Sequence, residues 1–163
     1  MIIRAARPAE YDAVGDLCSR AYWAGGGMVA GDSDRYDVVL RNVADRAAHA
    51  PVLVAVRDDD LVGTATLTPP GTPFAEVSRS GEMEFRFLAV DPAAWGTGVG
   101  EALTRGCLAF AREVGATAMV ICVLDGNERA AGLYIRQGFV REPERDFRPA
   151  PPVQLRAYRL ALT

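Results

Sequence analysis

The chain has 163 residues, half of them hydrophobic, and a formal net charge of −3. A chain of this length buries roughly 70% of its unfolded surface, so one domain over residues 1–163 with a real core is expected and disorder is excluded. The acidic balance excludes a nucleic-acid binder working through a broad basic face; all 18 basic residues are arginine, which excludes a Walker lysine and any lysine Schiff base.

Residues 1–5 read as a short strand. Pro8 sits where helices begin, and Val14, Leu17, Cys18, Ala21 and Tyr22 recur behind it at helical spacing. Gly25-Gly26-Gly27 ends that helix and opens a flexible stretch through Asp34. One further helix is expected, with Tyr36, Val39, Leu40, Val43 and Ala47 on one face and Ser33 or Asp34 as its cap. Residues 52–57 and 61–68 form a hairpin across Asp58-Asp59-Asp60. Pro69, Pro70, Gly71 and Pro73 mark a loop running to Gly81, and residues 82–90 are the next strand. The helix after it carries Val99, Leu103, Cys107, Phe110 and Val114 as its apolar stripe and stops at Gly115. Residues 117–124 form a strand apolar enough to be buried on both faces. Asp125-Gly126 turns the chain, Asn127 opens a helix to Gln137, and Gly138-Phe139 begins a strand. Residues 148–152 form a proline-rich loop before a last strand, 154–161. The order β-α-α-β-β-β-α-β-α-β-β implies one mixed α/β sheet with helices on both faces.

The most informative segment is Leu88-Ala89-Val90-Asp91-Pro92-Ala93-Ala94-Trp95-Gly96-Thr97-Gly98-Val99-Gly100. It is a strand end, a turn and three alternating glycines opening a helix. Amides at a helix start have no partner within the helix and point outward, where the helix dipole adds roughly half a positive charge. Glycines let a ligand approach the backbone closely. The combination suits a phosphate or pyrophosphate. A dinucleotide fingerprint G-x-G-x-x-G is excluded, because its third glycine position is Glu101 and Gly100 comes one residue early. The competing reading is that the glycines only permit a tight turn, although a single glycine would suffice for that.

Three pieces of the chain resemble the GNAT superfamily of acetyl-CoA-dependent N-acetyltransferases, in order and at family spacing. They are Glu84-Phe85-Arg86-Phe87-Leu88-Ala89-Val90-Asp91-Pro92; Trp95-Gly96-Thr97-Gly98-Val99-Gly100 with Leu103; and Asn127 followed by Ala130, Tyr134 and Gly138-Phe139. The resemblance implies a single N-acetyltransferase domain and a mostly antiparallel sheet of about seven strands whose fourth and fifth strands splay. It implies that the pantetheine arm lies in that gap against the backbone of Leu88, Ala89 and Val90, where a peptide N–H polarises the thioester carbonyl. It implies further cofactor contacts from Trp95, Gly96, Thr97, Gly98, Val99 and Gly100, and from Asn127, Ala130 and Tyr134. The family usually has Arg or Gln at the position of Trp95, which leaves this ring to cover the adenine or ribose side.

Acetyl transfer to an amine requires a placed and polarised thioester, an amine that loses a proton and a thiolate that gains one. Glu84 is the candidate base: four residues before Leu88 it is expected on the same face, and a lone carboxylate among Met83, Phe85 and Phe87 should be the more basic for it. The alternative readings are a solvated strand-edge acid and a partner for Arg86, with Glu82 as a substitute base. Tyr134 is the candidate acid, since a phenol near 10 can give its proton to a thiolate near 8.5 with a modest uphill step. It lies two turns after Asn127, on the same side of the helix; the alternative is a core tyrosine. Asn127 caps its helix. No nucleophilic side chain is required, so no acyl-enzyme is expected.

Acceptor specificity is assigned to residues 23–34, 68–81 and 141–153. Gly25-Gly26-Gly27 suggests a lid, Asp32 and Asp34 could attract a cationic amine, and Arg145 and Arg148 would suit an anionic one. His49 reads as a surface histidine at a helix end. Cys18, Cys107 and Cys122 have no metal-ligand spacing and read as small buried hydrophobes, and no metal is expected. No signal peptide opens the chain and no apolar run approaches ~20 residues, so the cytoplasm is expected, without membrane or nucleic-acid partners. The expected partners are acetyl-CoA and an amine acceptor, small molecule or protein N-terminus. The oligomeric state is left open, a homodimer included. The alternative function is a CoA- or acyl-CoA-binding sensor or accessory module without turnover.

Overall fold

The computed structural model describes residues 1–28, 31 and 33–162. The elements are β1 (Ile2–Ala5), α1 (Tyr11–Ala24), α2 (Ser33–Arg41), α3 (Val43–His49), β2 (Val52–Arg57), β3 (Asp60–Thr68), β4 (Glu82–Val90), α4 (Val99–Glu113), β5 (Ala118–Leu124), α5 (Glu128–Arg136), β6 (Val140–Arg141) and β7 (Leu155–Ala161). The strands form one sheet in the order β1-β2-β3-β4-β5-β7-β6, in which β4 and β5 are parallel and every other pair antiparallel.

Strand alternation sorts the core into two layers. On β2, Leu53 and Ala55 join the cluster that holds Val99, Leu103, Cys107 and Tyr134, whereas Val52 and Val54 join Val14 and Val43. Helices α4 and α5 therefore cover one face, and α1, α2 and α3 the other. The expected stripe on α4 holds at Val99, Leu103 and Cys107, but Val114 lies past the helix and is exposed.

The single helix expected after Asp34 is two. Asn42 leaves helical geometry (φ −83°, ψ 65°) and its side chain accepts a hydrogen bond from the Asp45 amide, capping α3. The break turns Val43 under α1, where Gly15 lets the chain approach so closely that a Cβ would lie 2.5 Å from the Arg41 carbonyl oxygen.

Two features of β4 build a gap in the sheet. Its pairing with β5 is confined to Glu82, Met83 and Glu84 opposite Ala118, Met119 and Val120; beyond them the strands part. In addition, Phe87 has φ 54° and the register with β3 shifts there, from Thr66↔Arg86 to Thr64↔Ala89. Such a bulge bends the strand and exchanges its faces. Met83 and Phe85 pack toward α4 and α5, but so do Leu88 and Val90, while Phe87 and Ala89 pack toward α1 and α2. Glu84 and Leu88 therefore face opposite sides, contrary to the simple four-residue count.

Candidate functional site

The parted strands open into a cleft of about 700 Å³. One wall is the β4 stretch Leu88, Ala89 and Val90, the other runs from Ile121 to Leu124 on β5. The floor at one end is the glycine turn with the start of α4, and α5 contributes Asn127, Ala130 and Tyr134.

Asp91 accepts from the Ala93 amide and so starts a short 3-10 turn, Pro92–Ala94, that leads to the glycines. Gly96 and Gly98 have φ 76° and 88°, and a Cβ on either would meet no protein atom within 4 Å. The left-handed backbone is thus needed at both, and the open space beside it is what a bound group requires. Gly98 is the N-cap of α4, so the first-turn amides of the helix face that space with the positive end of its dipole. Gly100 serves differently: its Cβ would stand 3.1 Å from Leu133, so it sets the approach of α4 to α5.

Thr97 does not line the cleft. Its hydroxyl donates to the Ala94 carbonyl (2.6 Å) and accepts from Arg57 (2.9 Å), which also donates to the Thr97 carbonyl (3.2 Å). Arg57 thereby clips the turn to the end of β2. Trp95 does line the cleft: its indole N–H donates to the Val90 carbonyl (2.8 Å), and the Arg129 guanidinium lies 4.3 Å above its ring. Arg129, also on the cleft wall, escaped sequence reasoning. Its signal is a cation in the first turn of α5, where the dipole favours the opposite sign.

Asn127 caps α5 by accepting from the Ala130 amide (3.2 Å). Tyr134 is held between Phe85 and Phe139, each ring centroid 5.7 Å from its own. Burial raises its phenol well above the ordinary value, so the proton stays on the oxygen. Cys122, expected to be a buried hydrophobe, is instead half-buried on the β5 wall, and burial raises its thiol to about 12. Cys18 and Cys107 are buried. Among the described residues no group of three or more His, Cys, Asp or Glu could hold a metal ion.

The carboxylates differ most from expectation. Glu84 is fully buried and not solitary: its oxygens accept from the amides of Glu76 (3.0 Å), Val77 (3.0 Å) and Ser78 (3.0 Å). It does not line the cleft. It folds the loop before β4, and that loop presents Glu76 to the cleft. Burial raises the Glu76 carboxyl, opposed by Arg86, whose Nε lies 2.7 Å from it. Glu82, the substitute base, is bound by Arg145 (2.7 and 2.9 Å) and Arg159 (3.2 Å). Burial alone would raise it; these partners and the Arg79 amide outweigh that and hold it at about 2.

Arg145 is accordingly spent on Glu82 and Glu142; Arg148 is exposed, donates from its Nε to Gln154 and does not line the cleft. All three expected acceptor segments nevertheless reach the cleft, through Gly25 and Gly27, Glu76, and Pro149 and Val153. Asp34 sits in the first turn of α2 and does not line it, and Asp32 lies outside the described residues. His49 is exposed at the end of α3.

Known proteins share this architecture. Over 100% of its length the chain superposes on yncA, a putative acetyltransferase from Salmonella typhimurium, solved with its cofactor acetyl-CoA (TM-score 0.69, 22% identity, 94% of that chain). Over 96% it superposes on the PaiA N-acetyltransferase from Thermoplasma acidophilum in complex with coenzyme A (TM-score 0.74, 13% identity, 96% of that chain). In sequence it is 33% identical over 139 residues to the mycothiol acetyltransferase of Sanguibacter keddieii, covering 85% of this chain and 43% of that protein. The chain thus spans less than half the length of that curated relative. Residues 19–139, which include the glycine turn, both cleft walls and Tyr134, match the profile described as Acetyltransferase (GNAT) family, and the chain belongs to that family.

Proposed function

We propose that this chain transfers the acetyl group of acetyl-CoA directly to a primary amine, with no acyl-enzyme. The observation that carries the reading is the parting of β4 from β5 after Glu84 and Val120, directly beside the Gly96–Gly100 turn. A pantetheine arm would lie along Leu88, Ala89 and Val90 as an added strand, and the turn amides with the α4 dipole would hold the pyrophosphate. Arg129, steadied on Trp95, would supply the charge that an Arg at position 95 supplies in relatives.

The chemistry asks little of the side chains. The amine nitrogen bonds to the thioester carbon, the C–S bond breaks, the nitrogen loses a proton and the sulfur gains one. A main-chain N–H of the β4 wall polarises the carbonyl, and holding both reactants in the gap supplies much of the rate. Tyr134, protonated in the resting site, would deliver its proton to sulfur, a steeper step than for a free phenol because burial raises its hydroxyl. We assign the base to Glu76 rather than to Glu84: Glu76 lines the cleft, whereas Glu84, through the amides of 76–78, is the positioning residue that holds it there.

The test is thiol release from acetyl-CoA across a panel of amines, with calorimetry of CoA binding alongside. Amine-dependent release is expected, rising with pH until the amine and the base are both deprotonated. Tyr134→Phe should lower kcat by about 10²-fold with acetyl-CoA affinity retained. Binding without release on any amine would leave a CoA-binding module instead. Preference for a longer acyl thioester would change the donor but not the site, and no binding at all would overturn the reading.

A further inference from the structure

The half of the cleft away from the glycine turn is built from α1, α2, the 68–81 loop and the first part of β4. Its lining has a composition unlike that of the phosphate end. Tyr22, Tyr36 and Phe87 form an aromatic wall, with ring centroids 6.0 Å apart for Tyr22 and Tyr36 and 6.4 Å for Tyr36 and Phe87. Glu76 and Arg86 stand against it as an ion pair, and both line the cleft.

Arg86 is fixed by its neighbours at the cleft wall. Its Nη1 donates to the Phe74 carbonyl (2.9 Å), its Nε pairs with Glu76, and the guanidinium lies 4.5 Å from the Phe87 centroid. The planar group is fixed in orientation, shares a further side-chain hydrogen bond with Tyr36, and carries five N–H donors in all, more than these contacts use, so some can turn to a carboxylate. The same ring has a second cation 4.5 Å away, Arg46, which is fully buried. The formal charges here are two cations, Arg46 and Arg86, and two anions, Glu76 and Glu84. A bare ammonium entering this balanced set would bring a charge with nothing to answer it. A zwitterion would not: its ammonium replaces Arg86 as the partner of Glu76, and its carboxylate replaces Glu76 as the partner of Arg86.

We infer that the acceptor is a free α-amino acid with an apolar or aromatic side chain, its carboxylate held by Arg86, its amine by Glu76 and its side chain by Tyr22, Tyr36 and Phe87. The inference rests on the acetyltransferase reading above. The ammonium gives one proton to Glu76, the freed nitrogen pair bonds to the thioester carbon, the second proton leaves with formation of the amide, and the thiolate departs as the thiol. The products are the N-acetyl amino acid, CoA and a proton. Acetylation removes the positive charge, so the product no longer satisfies Glu76 and the original ion pair can re-form.

The experiment compares three matched acceptors for each side chain, for example phenylalanine, phenylalaninamide and phenethylamine, by thiol release from acetyl-CoA. The expected result is a kcat/KM for the amino acid about a hundredfold above both the amide and the amine, because only the acid pairs with Arg86. Arg86→Met should bring that ratio close to one, chiefly through the KM of the amino acid, with the KM of acetyl-CoA unchanged. Arg86→Lys should restore part of the preference, which a merely structural role would not. Equal or better turnover of the amide or the amine overturns this inference alone, whereas acetyl-CoA binding with none of the acceptors turned over overturns it together with the transferase reading. Absence of acetyl-CoA binding overturns the parent reading and this one with it.

Discussion

Arg129 is a cation in the first turn of its helix, where the dipole favours the opposite sign, and it is stacked on the Trp95 ring. Arg129→Met should weaken acetyl-CoA binding about tenfold and flatten its dependence on salt, since a charge facing phosphates is screened by ions. Calorimetry at two ionic strengths reads both effects. Gly98→Ala separates conformation from contact at the same end. At φ 88° an alanine should cost about 1 kcal/mol of stability, and its methyl would stand in the open space beside the α4 amides, so acetyl-CoA affinity should fall by more than the melting temperature suggests. The places of Gly96, Gly98, Asn127 and Tyr134 in the fold were legible in the sequence because their constraint is local: a positive φ, a helix start, a ring two turns on. Glu76 was not, because it sits in an aperiodic loop. Glu84 was misread for a related reason. Its partners are three amides, and amides leave no mark in a sequence.

At the scale of elements, α5 brings five cleft residues from a helix of nine, so its start matters. Asn127→Ala should cost about 1 kcal/mol through the lost cap. Asn127→Asp keeps an oxygen for the Ala130 amide and should restore that stability; if the side chain also touches pantetheine, neither variant restores the KM of acetyl-CoA. Denaturant midpoints and steady-state kinetics give the two answers separately. Strand β4 illustrates the limit of reading by period. Its bounds followed from its apolar run, but its faces did not, because the bulge at Phe87 uses a residue with a side chain at positive φ and no glycine announces it. The break between α2 and α3 was closer to legible. Asn42 followed by Asp45 is a cap signal, outvoted by an apolar stripe that two short helices continue as well as one long helix would.

For the molecule as a whole, the far end of the sheet is tied by a buried charge cluster. Arg145 and Glu82 have side chains only 6% and 7% exposed, and Arg159 joins them from β7. Because folding lowers the Glu82 carboxyl from 4.5 to about 2, its contribution to stability is complete above about pH 4.5 and is lost as the pH falls toward 2. Glu82→Gln should therefore flatten that part of the acid-unfolding curve. At neutral pH it should cost about 3 kcal/mol, since Arg145 loses its main counter-charge inside the protein. Chemical denaturation at several pH values checks both.

The gap between β4 and β5 has a mechanical side. Among the described residues only three facing pairs stitch the first four strands to the last three, so the sheet is two leaves on a narrow spine. Amides along 121–124 and 88–90 should exchange with solvent readily in the free protein, while those of the β1–β2 ladder stay protected. A guest that lies down between the leaves completes the weave, and exchange at the gap should then slow several-fold, with the ladder unaffected. The resting protein would be loosest along the seam that a bound pantetheine arm would sew shut.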